Sequence, residues 1–254
     1  MQISATIICF NEAEKIGRCI ESLLPVADEV IVLDSGSTDA TLAIASKLGA
    51  KCSYHAFDGH IQQKNRAADL AQYDWILSLD ADECLSSELQ QSILDAKAAP
   101  GRLDAFRVNR LNNFCGQWIK HGGWYPDKKI RLFKKEKGRW GGLNPHDKII
   151  LSTGSTVGQL RGDLLHFTYD QELDFDLQNK KFALAAAHAM HERTTSVNIL
   201  TPYYKAAFRW LKGYVLQLGF LDGKAGRKIA AGNARYTFDK YQLLLQLNRE
   251  KDVR

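Results

Sequence analysis

Two apolar runs in this chain each end on an aspartate. Glu29-Val30-Ile31-Val32-Leu33 leads into Asp34, and Trp75-Ile76-Leu77-Ser78-Leu79 leads into Asp80-Ala81-Asp82. Short apolar runs bounded by turn residues read as buried strands. In an open α/β sheet, ligands bind beyond the carboxyl ends of the strands, so both acidic clusters are expected to face one crevice. Paired carboxylates there offer oxygen ligands to a hard divalent cation, which suits a nucleotide diphosphate. The plainer reading is a solvated turn in which Asp82 or Ser86 caps a helix. It leaves the second acidic strand end at Asp34 unexplained.

The elements that would position these groups alternate strand and helix, which predicts a doubly wound, largely parallel sheet. Ile3 to Phe10 reads as the first strand. Asn11 with Glu14 forms a capping-box-like start, and Ile16, Ile20, Leu23 and Leu24 give a helical stripe that Pro25 ends. A second strand over about 29–33 precedes the polar turn Ser35-Gly36-Ser37-Thr38-Asp39. A helix carrying Leu42, Ile44, Ala45 and Leu48 follows and is closed by Gly49. Cys52 to Phe57 reads as a short third strand and Gln62 to Leu70 as a helix. From Pro100 to Phe167, Gly, Trp and basic residues gather around short β patterns. Two turn-prone patches there, His121-Gly122-Gly123-Trp124 and Trp140-Gly141-Gly142-Leu143-Asn144-Pro145, read as binding loops. Beyond Asp170 the pattern is helical.

Composition narrows the classes. With 254 residues, 45% of them hydrophobic, the chain can build one sizeable domain or a domain with an appendage. A net charge of +5 suits an anionic substrate or an anionic membrane surface, and is too weak to argue for nucleic acid. Cys9, Cys19, Cys52, Cys84 and Cys115 form no CxxC pair and read as reduced thiols of a cytosolic protein. The first residues enter a strand with no basic n-region, so no signal peptide is expected, and no apolar run is long enough to span a bilayer. A nucleotidyltransferase would want a glycine-rich, lysine-bearing loop after the first strand, where Cys9-Phe10-Asn11-Glu12 stands instead. A dehydrogenase fails there too, for want of GxGxxG. A non-catalytic basic module that binds a membrane or polyanion is the alternative from another class, although paired acids in the crevice would repel phosphates without a metal. His188 and His191 sit three apart with no acidic or cysteine partner nearby, so no zinc site is expected.

Three segments resemble the signatures of family 2 inverting glycosyltransferases of the GT-A fold: Ile7-Ile8-Cys9-Phe10-Asn11-Glu12, Val32-Leu33-Asp34-Ser35-Gly36-Ser37-Thr38-Asp39-Ala40-Thr41 and Leu79-Asp80-Ala81-Asp82-Glu83. The rest is similar to the lipopolysaccharide-core β-1,4-glucosyltransferase subgroup. The matching segments are Gly122-Gly123-Trp124-Tyr125-Pro126-Asp127, Arg131-Leu132-Phe133, Asn144-Pro145-His146-Asp147-Lys148, Leu165-His166-Phe167-Thr168-Tyr169 and Gly219-Phe220-Leu221-Asp222-Gly223. The resemblance implies an α/β fold, a Rossmann-like nucleotide-sugar-binding mixed sheet with flanking helices plus a C-terminal helical extension. Residues 1–100 would form the nucleotide-sugar half, 101–169 the acceptor-side half of the same domain, and 170–254 a helical region that either packs on the domain or lies at a membrane interface.

The implied reaction moves a hexose, with glucose from UDP-glucose as the first choice, onto a hydroxyl of a lipopolysaccharide-core or related glycolipid or oligosaccharide acceptor. It proceeds with inversion in the cytoplasm, peripheral to the inner leaflet. By resemblance, Glu12 and Asp34 contact the nucleoside, Lys64 lies over the donor, and Asp80 sits near the ribose or behind the ion. Asp82 and His166 hold Mn²⁺ or Mg²⁺. Asp147 is the base, with Asp127 as the alternative; related patterns carry glutamate, so Asp147 is one methylene shorter. Trp118, Trp124 and Trp140 are either core or a platform under a sugar. The cations from Lys128 to Arg139 are either a solvated face or the seat of a phosphate-bearing acceptor. Trp124 and Arg131 are the acceptor contacts named from these sets.

Pro202 to Leu221 reads as one amphipathic helix, with Lys205, Arg209 and Lys212 on one stripe and Tyr203, Ala207, Trp210, Tyr214 and Leu218 on another. It either packs on the domain or lies on an anionic leaflet, a reading that Lys224, Arg227 and Lys228 reinforce.

Overall fold

A computed structural model describes residues 1–99, 101–143, 146–193 and 195–252. Asn144 and Pro145 of the second turn-prone patch lie outside these. Strand and helix alternate first: β1 (Ile3–Cys9), α1 (Ile16–Leu23), β2 (Glu29–Asp34), α2 (Thr41–Lys47), β3 (Lys51–Tyr54), α3 (His60–Asp69), β4 (Trp75–Asp80), β5 (Glu83–Leu85) and α4 (Ser87–Ala98). Strands then take over, with β6 (Ala105–Phe114), β7 (Gln117–Ile119), β8 (Asp127–Lys134), β9 (Gly138–Leu143), β10 (His146–Leu151) and β11 (Val157–Tyr169). The helices α5 (Glu172–Glu192), α6 (Thr201–Leu211) and α7 (Gly223–Asp252) follow.

The sheet runs β3-β2-β1-β4-β8-β6-β11-β5, with β7 on the end of β6 and β9-β10 as a separate pair. β1 lies parallel between β2 and β4, and β3 extends the parallel half. β8 joins β4 antiparallel, and β6 pairs antiparallel with β8. The central strands are continuous aliphatic runs because helices cover them. Ile3, Ile7, Ile16, Ile20, Leu23 and Leu77 are fully buried in one cluster. Each such side chain contributes roughly 1.5–3 kcal/mol of burial.

Two compact units divide the chain, Met1–Leu111 with Asp127–His166, and Asn112–Pro126 with Phe167–Arg254. The 112–126 segment goes with the helices for a visible reason. Phe114 and Ile119 join Phe175, Ala225 and Ile229 in a second core. The Asp222 carboxylate accepts from His121 N at 2.8 Å and pairs with His121 Nδ1 at 2.9 Å.

Two local expectations change. Asn11 is not a helix cap: at φ 54° it turns its Oδ1 to accept from Thr38 N at 2.8 Å, and α1 starts after Lys15 without a side-chain cap. Ser86 does cap α4, accepting from Leu89 N. The stretch 202–221 is not one helix. α6 stops at Leu211, a π-turn spans Lys212–Leu216, and Gly219–Asp222 forms a 3₁₀ turn. Glycines permit the fold-back: a Cβ on Gly226 would lie 1.8 Å from the Gly219 carbonyl oxygen, and one on Gly219 2.6 Å from that of Gly213. All five cysteines are free; Cys9, Cys19 and Cys84 are buried, Cys52 and Cys115 exposed. Among the described residues no helix is long and apolar enough to cross a membrane.

Gly162 and Gly154 separate collision from strain. Both have φ above +80° or at it, but a Cβ on Gly162 would meet Leu89 N at 2.3 Å, whereas nothing lies within 4 Å of one on Gly154. Gly154→Ala should therefore cost about 1 kcal/mol. Gly162→Ala should cost at least ~2 kcal/mol more, several degrees of melting temperature for a chain of this size. Thermal melts of the two variants check this; equal losses would mean that α4 shifts freely.

Candidate active site

Strand register brings the acidic ends together. Cys9 is opposite Asp34 of β2, and Ile8 is opposite Asp80 of β4, so both carboxylates flank the carboxyl end of β1. Asp34 organises the loop that follows it. Its Oδ2 accepts from Gly36 N at 2.8 Å and Ser37 N at 2.9 Å, and its Oδ1 accepts from the Ser37 hydroxyl and, at 3.5 Å, from the Cys9 thiol. Burial alone would raise this carboxyl's pKa. The Ser37 hydroxyl and the two backbone N–H groups outweigh it and hold the group below the usual carboxylate range. The same burial, with Asp34 alongside, pushes the Cys9 thiol far up.

The loops after β1 and β2 are stitched by side chains onto backbone. Asn11 N donates to Ser37 Oγ, Glu12 N to Thr41 Oγ1 and Ala13 N to Asp39 Oδ2. Glu12 is half-buried beside this seam.

Lys64 is the central finding. The sequence places it on a helix surface, yet it is 5% exposed, with Nζ 2.8 Å from Asp80 Oδ1 and 2.8 Å from Asp147 Oδ2. One ammonium thus joins the end of β4 to β10. The Trp140 ring lies beneath it, 4.2 Å from Nζ to centroid. Trp140 is buried core, with its indole N–H donating to Ser78 Oγ.

Behind this triad stands a second charge cluster. Arg131 Nη2 donates to Glu83 Oε1 at 2.6 Å and to Asp80 Oδ2 at 3.2 Å. Arg131 is 3% exposed and Glu83 1%, and Glu83 Oε2 also accepts from Asp80 N. Burial would raise the pKa of Asp80, but Lys64 and then Arg131 hold it far below the normal range. Arg131 is therefore a buried counter-ion of these acids, and it also lines the cavity over Lys64 and Asp80. Arg110 continues the chain of charge, with Nη1 3.4 Å from Glu83 Oε1 and Nη2 2.7 Å from Asp127 Oδ2. Asp127 also pairs with Lys129 at 3.1 Å. Those two cations lower its pKa against the effect of burial.

Asp82 points elsewhere. Its Oδ2 lies 3.2 Å from His166 Nε2, which sits on β11 beside Glu83 of β5. A carboxylate and an imidazole converge there, a donor pair that could hold a divalent ion such as Mn²⁺. Among the described residues no third His, Cys, Asp or Glu completes a preformed cage with them.

A cavity of about 480 Å³ opens over Lys64, Asp80, Asp147 and Trp140. Arg107, Lys128 and Lys148 on its wall are exposed, and none makes an ion pair among the described residues. Most of the basic run after them is already engaged: Lys134 with Asp104 at 2.9 Å and Arg139 with Asp69 at 2.9 Å. Trp124 belongs to the other unit, where its ring packs edge-on to Phe114 and Phe175 and tilted to Tyr169. There it lies partly buried against the Phe114–Phe175 cluster, which accords with the packing reading. Sequence reasoning passed over Glu83 and Arg110. The one available signal was the third acid in Asp80-Ala81-Asp82-Glu83.

Residues 4–151 match the family model described as glycosyl transferase family 2. The chain belongs to glycosyl transferase family 2. The mixed sheet, with its parallel half and antiparallel continuation, is the family's GT-A architecture, followed by the C-terminal helices. An uncharacterized glycosyltransferase of Rickettsia felis is 53% identical over 201 residues, covering 78% of this chain and 65% of that protein. One of Rickettsia typhi is 31% identical over 206 residues, covering 72% and 70%. The lipopolysaccharide core biosynthesis glycosyltransferase LpsC of Rhizobium meliloti is 32% identical over 172 residues, covering 66% and 63%. The chain spans slightly less than two thirds of the length of several of the relatives it matches. A glucosyl-3-phosphoglycerate synthase from Mycobacterium tuberculosis aligns over 44% of both chains at 22% identity, with a TM-score of 0.38.

Asp34 gives a pH test of this loop. Its folded pKa lies below the unfolded value of about 3.9. Its contribution is therefore complete above that value and lost as pH falls through the folded one. Asp34→Asn should be less stable than wild type at pH 7, with a deficit that shrinks as pH drops below about 4. Urea melts at pH 7, 5 and 3 measure it; a constant deficit would assign the loss to geometry rather than charge.

Proposed function

We propose that this chain transfers a hexose, with inversion, from a uridine-diphosphate sugar to a hydroxyl of a glycolipid or oligosaccharide acceptor. The observation that carries the reading is that Asp34 and Asp80 end the strands on either side of β1, while Lys64 ties Asp80 to Asp147. Family membership supplies the reaction class. The relative named for lipopolysaccharide core biosynthesis supports a glycolipid acceptor, and UDP-glucose is the donor we assign first.

Asp34 and Glu12 would meet the nucleoside, where the stitched loops fix the floor of the crevice. Asp82 and His166 would hold Mn²⁺ or Mg²⁺. When bound, the ion neutralises charge on the departing diphosphate. Asp80, engaged by Lys64 and Arg131, keeps those cations in register beside that charge. The acceptor oxygen forms its bond to the anomeric carbon while the bond from that carbon to the diphosphate oxygen breaks, and the electron pair leaves with the diphosphate. The hydroxyl proton passes to Asp147. Lys64 engages Oδ2, and Oδ1 is the oxygen we assign to receive it. Asp127, tied to Arg110 and Lys129, is the less suited base. Arg107, Lys128 and Lys148 suit an acceptor that carries phosphate or carboxylate near the reacting hydroxyl.

The first test is a thermal-shift series with uridine, guanosine, adenosine and cytidine diphosphates, each with and without Mn²⁺. Stabilisation by uridine diphosphate that depends on Mn²⁺ is expected, about 2.7 kcal/mol at a hundred times Kd. Asp82→Asn should abolish that dependence and the transfer with it; undiminished turnover would remove Asp82 from the metal. Asp147→Asn should lower kcat by about 10²–10⁴-fold with donor KM little changed. An equal loss of donor affinity would make Asp147 a binding residue.

A further inference from the structure

The exposed apolar surface of this protein is concentrated in one stretch of the second unit. Of the twenty-two large hydrophobic side chains exposed among the described residues, twelve lie between Ile199 and Leu221. Leu200, Tyr204, Phe208 and Leu211 recur at the spacing that lines one side of a helix, and they are 43–66% exposed. The other flank is in use: Thr201 and Pro202 are buried, and Tyr203 sets its ring 5.3 Å from Phe238 of α7. Leu216 and Leu221 carry the apolar exposure past the end of α6. A patch on this scale marks an interaction site rather than ordinary surface.

Its charge is one-sided. Residues 193–221 contain no Asp or Glu, but they include Arg193, Lys205, Arg209 and Lys212. Among the described residues Lys205, Arg209 and Lys212 form no ion pair. Lys240 of α7 joins them: it sits 4.7 Å over the Tyr241 ring, and burial, then Arg209 and Lys205, lower its pKa. Cations pressed together without a carboxylate call for an anion from outside.

We infer that this face docks on an anionic lipid surface. Leucine and aromatic side chains would enter the boundary between headgroups and acyl chains while the flanking cations meet anionic headgroups. A second copy of the chain fits worse. A two-fold contact sets the same patch against itself, which would oppose Lys205 and Arg209 to their own kind, and lysine is depleted from protein–protein interface cores. The inference rests on unit two alone and stands whether or not the transfer reading holds.

Sedimentation of the full chain with vesicles tests it. Binding is expected to equal parts phosphatidylglycerol and phosphatidylcholine, to weaken with salt, and to be slight on phosphatidylcholine alone. The triple change K205E, R209E, K212E should weaken binding on the order of a hundredfold or more. F208S with L211S and L216S should also release the chain. All but Arg209 of these side chains are exposed, so melting temperatures should hold, and the uridine diphosphate thermal shift should persist in both variants. No binding to the mixed vesicles, or wild-type binding by both variants, would overturn the inference. So would a dimer in ultracentrifugation that F208S with L211S converts to monomer, since the occupant would then be a second copy.

Discussion

A buried ammonium must be paired, and Lys64 meets that requirement with two carboxylates that lie far apart in the chain. Its neighbours on α3 tie other segments just as firmly. Gln63 donates to Ser35 Oγ and to the carbonyl of His55, reaching the loop after β2 and the end of β3. Asn65 exchanges two hydrogen bonds with the backbone of Trp140 on β9. Arg66 forks onto Asp58. Four consecutive residues thus fasten the loops after β2 and β3, the end of β4 and the β9-β10 pair to one helix. Loss of the Lys64 charge would leave Asp80 and Asp147 opposed across the cavity, so the site's shape depends on this one contact.

What the chain's sequence disclosed follows from the range of the interactions involved. Parallel strands buried on both faces leave continuous aliphatic runs, and their acidic ends stand out in them. The register of β1 with β2 and β4 then brings Asp34 and Asp80 together as expected. The antiparallel half was only suggested, because the pairing of β6 with β8 is set by contacts distant in sequence. Those contacts decide that Arg110 and Arg131 point at Glu83. Asn11 misled because its spacing to Glu14 matches a capping box while its side chain serves Thr38. The basic run 128–139 was visible as charge, but its partners Asp69, Asp104 and Asp127 were not.

The two units divide the physical work differently. In the first, the buried charges around Asp80 and Glu83 are matched, and Arg107, Lys128 and Lys148, which form no ion pair among the described residues, line the cavity. In the second, packing rests on aromatic edges around Phe114 and Phe175 and on glycines that let the chain double back after α6. The fold-back keeps residues 212–222 from continuing as helix, which leaves their apolar side chains outward.

The cysteines have a practical consequence. Cys9, Cys19 and Cys84 are sealed in the interior, while Cys52 lies open in one unit and Cys115 in the other. Burial and the neighbouring acids Glu172, Asp170 and Asp174 raise the Cys115 thiol, which slows its reaction with alkylating reagents. Cys52 is exposed on β3 beside the Ser46 hydroxyl and is the thiol expected to label first. The native chain therefore carries two attachment points, one per unit, that can be filled in order without removing a single cysteine. A pair of spectroscopic probes placed there would turn the arrangement of the two units, and any change in it when a donor binds, into a measured distance.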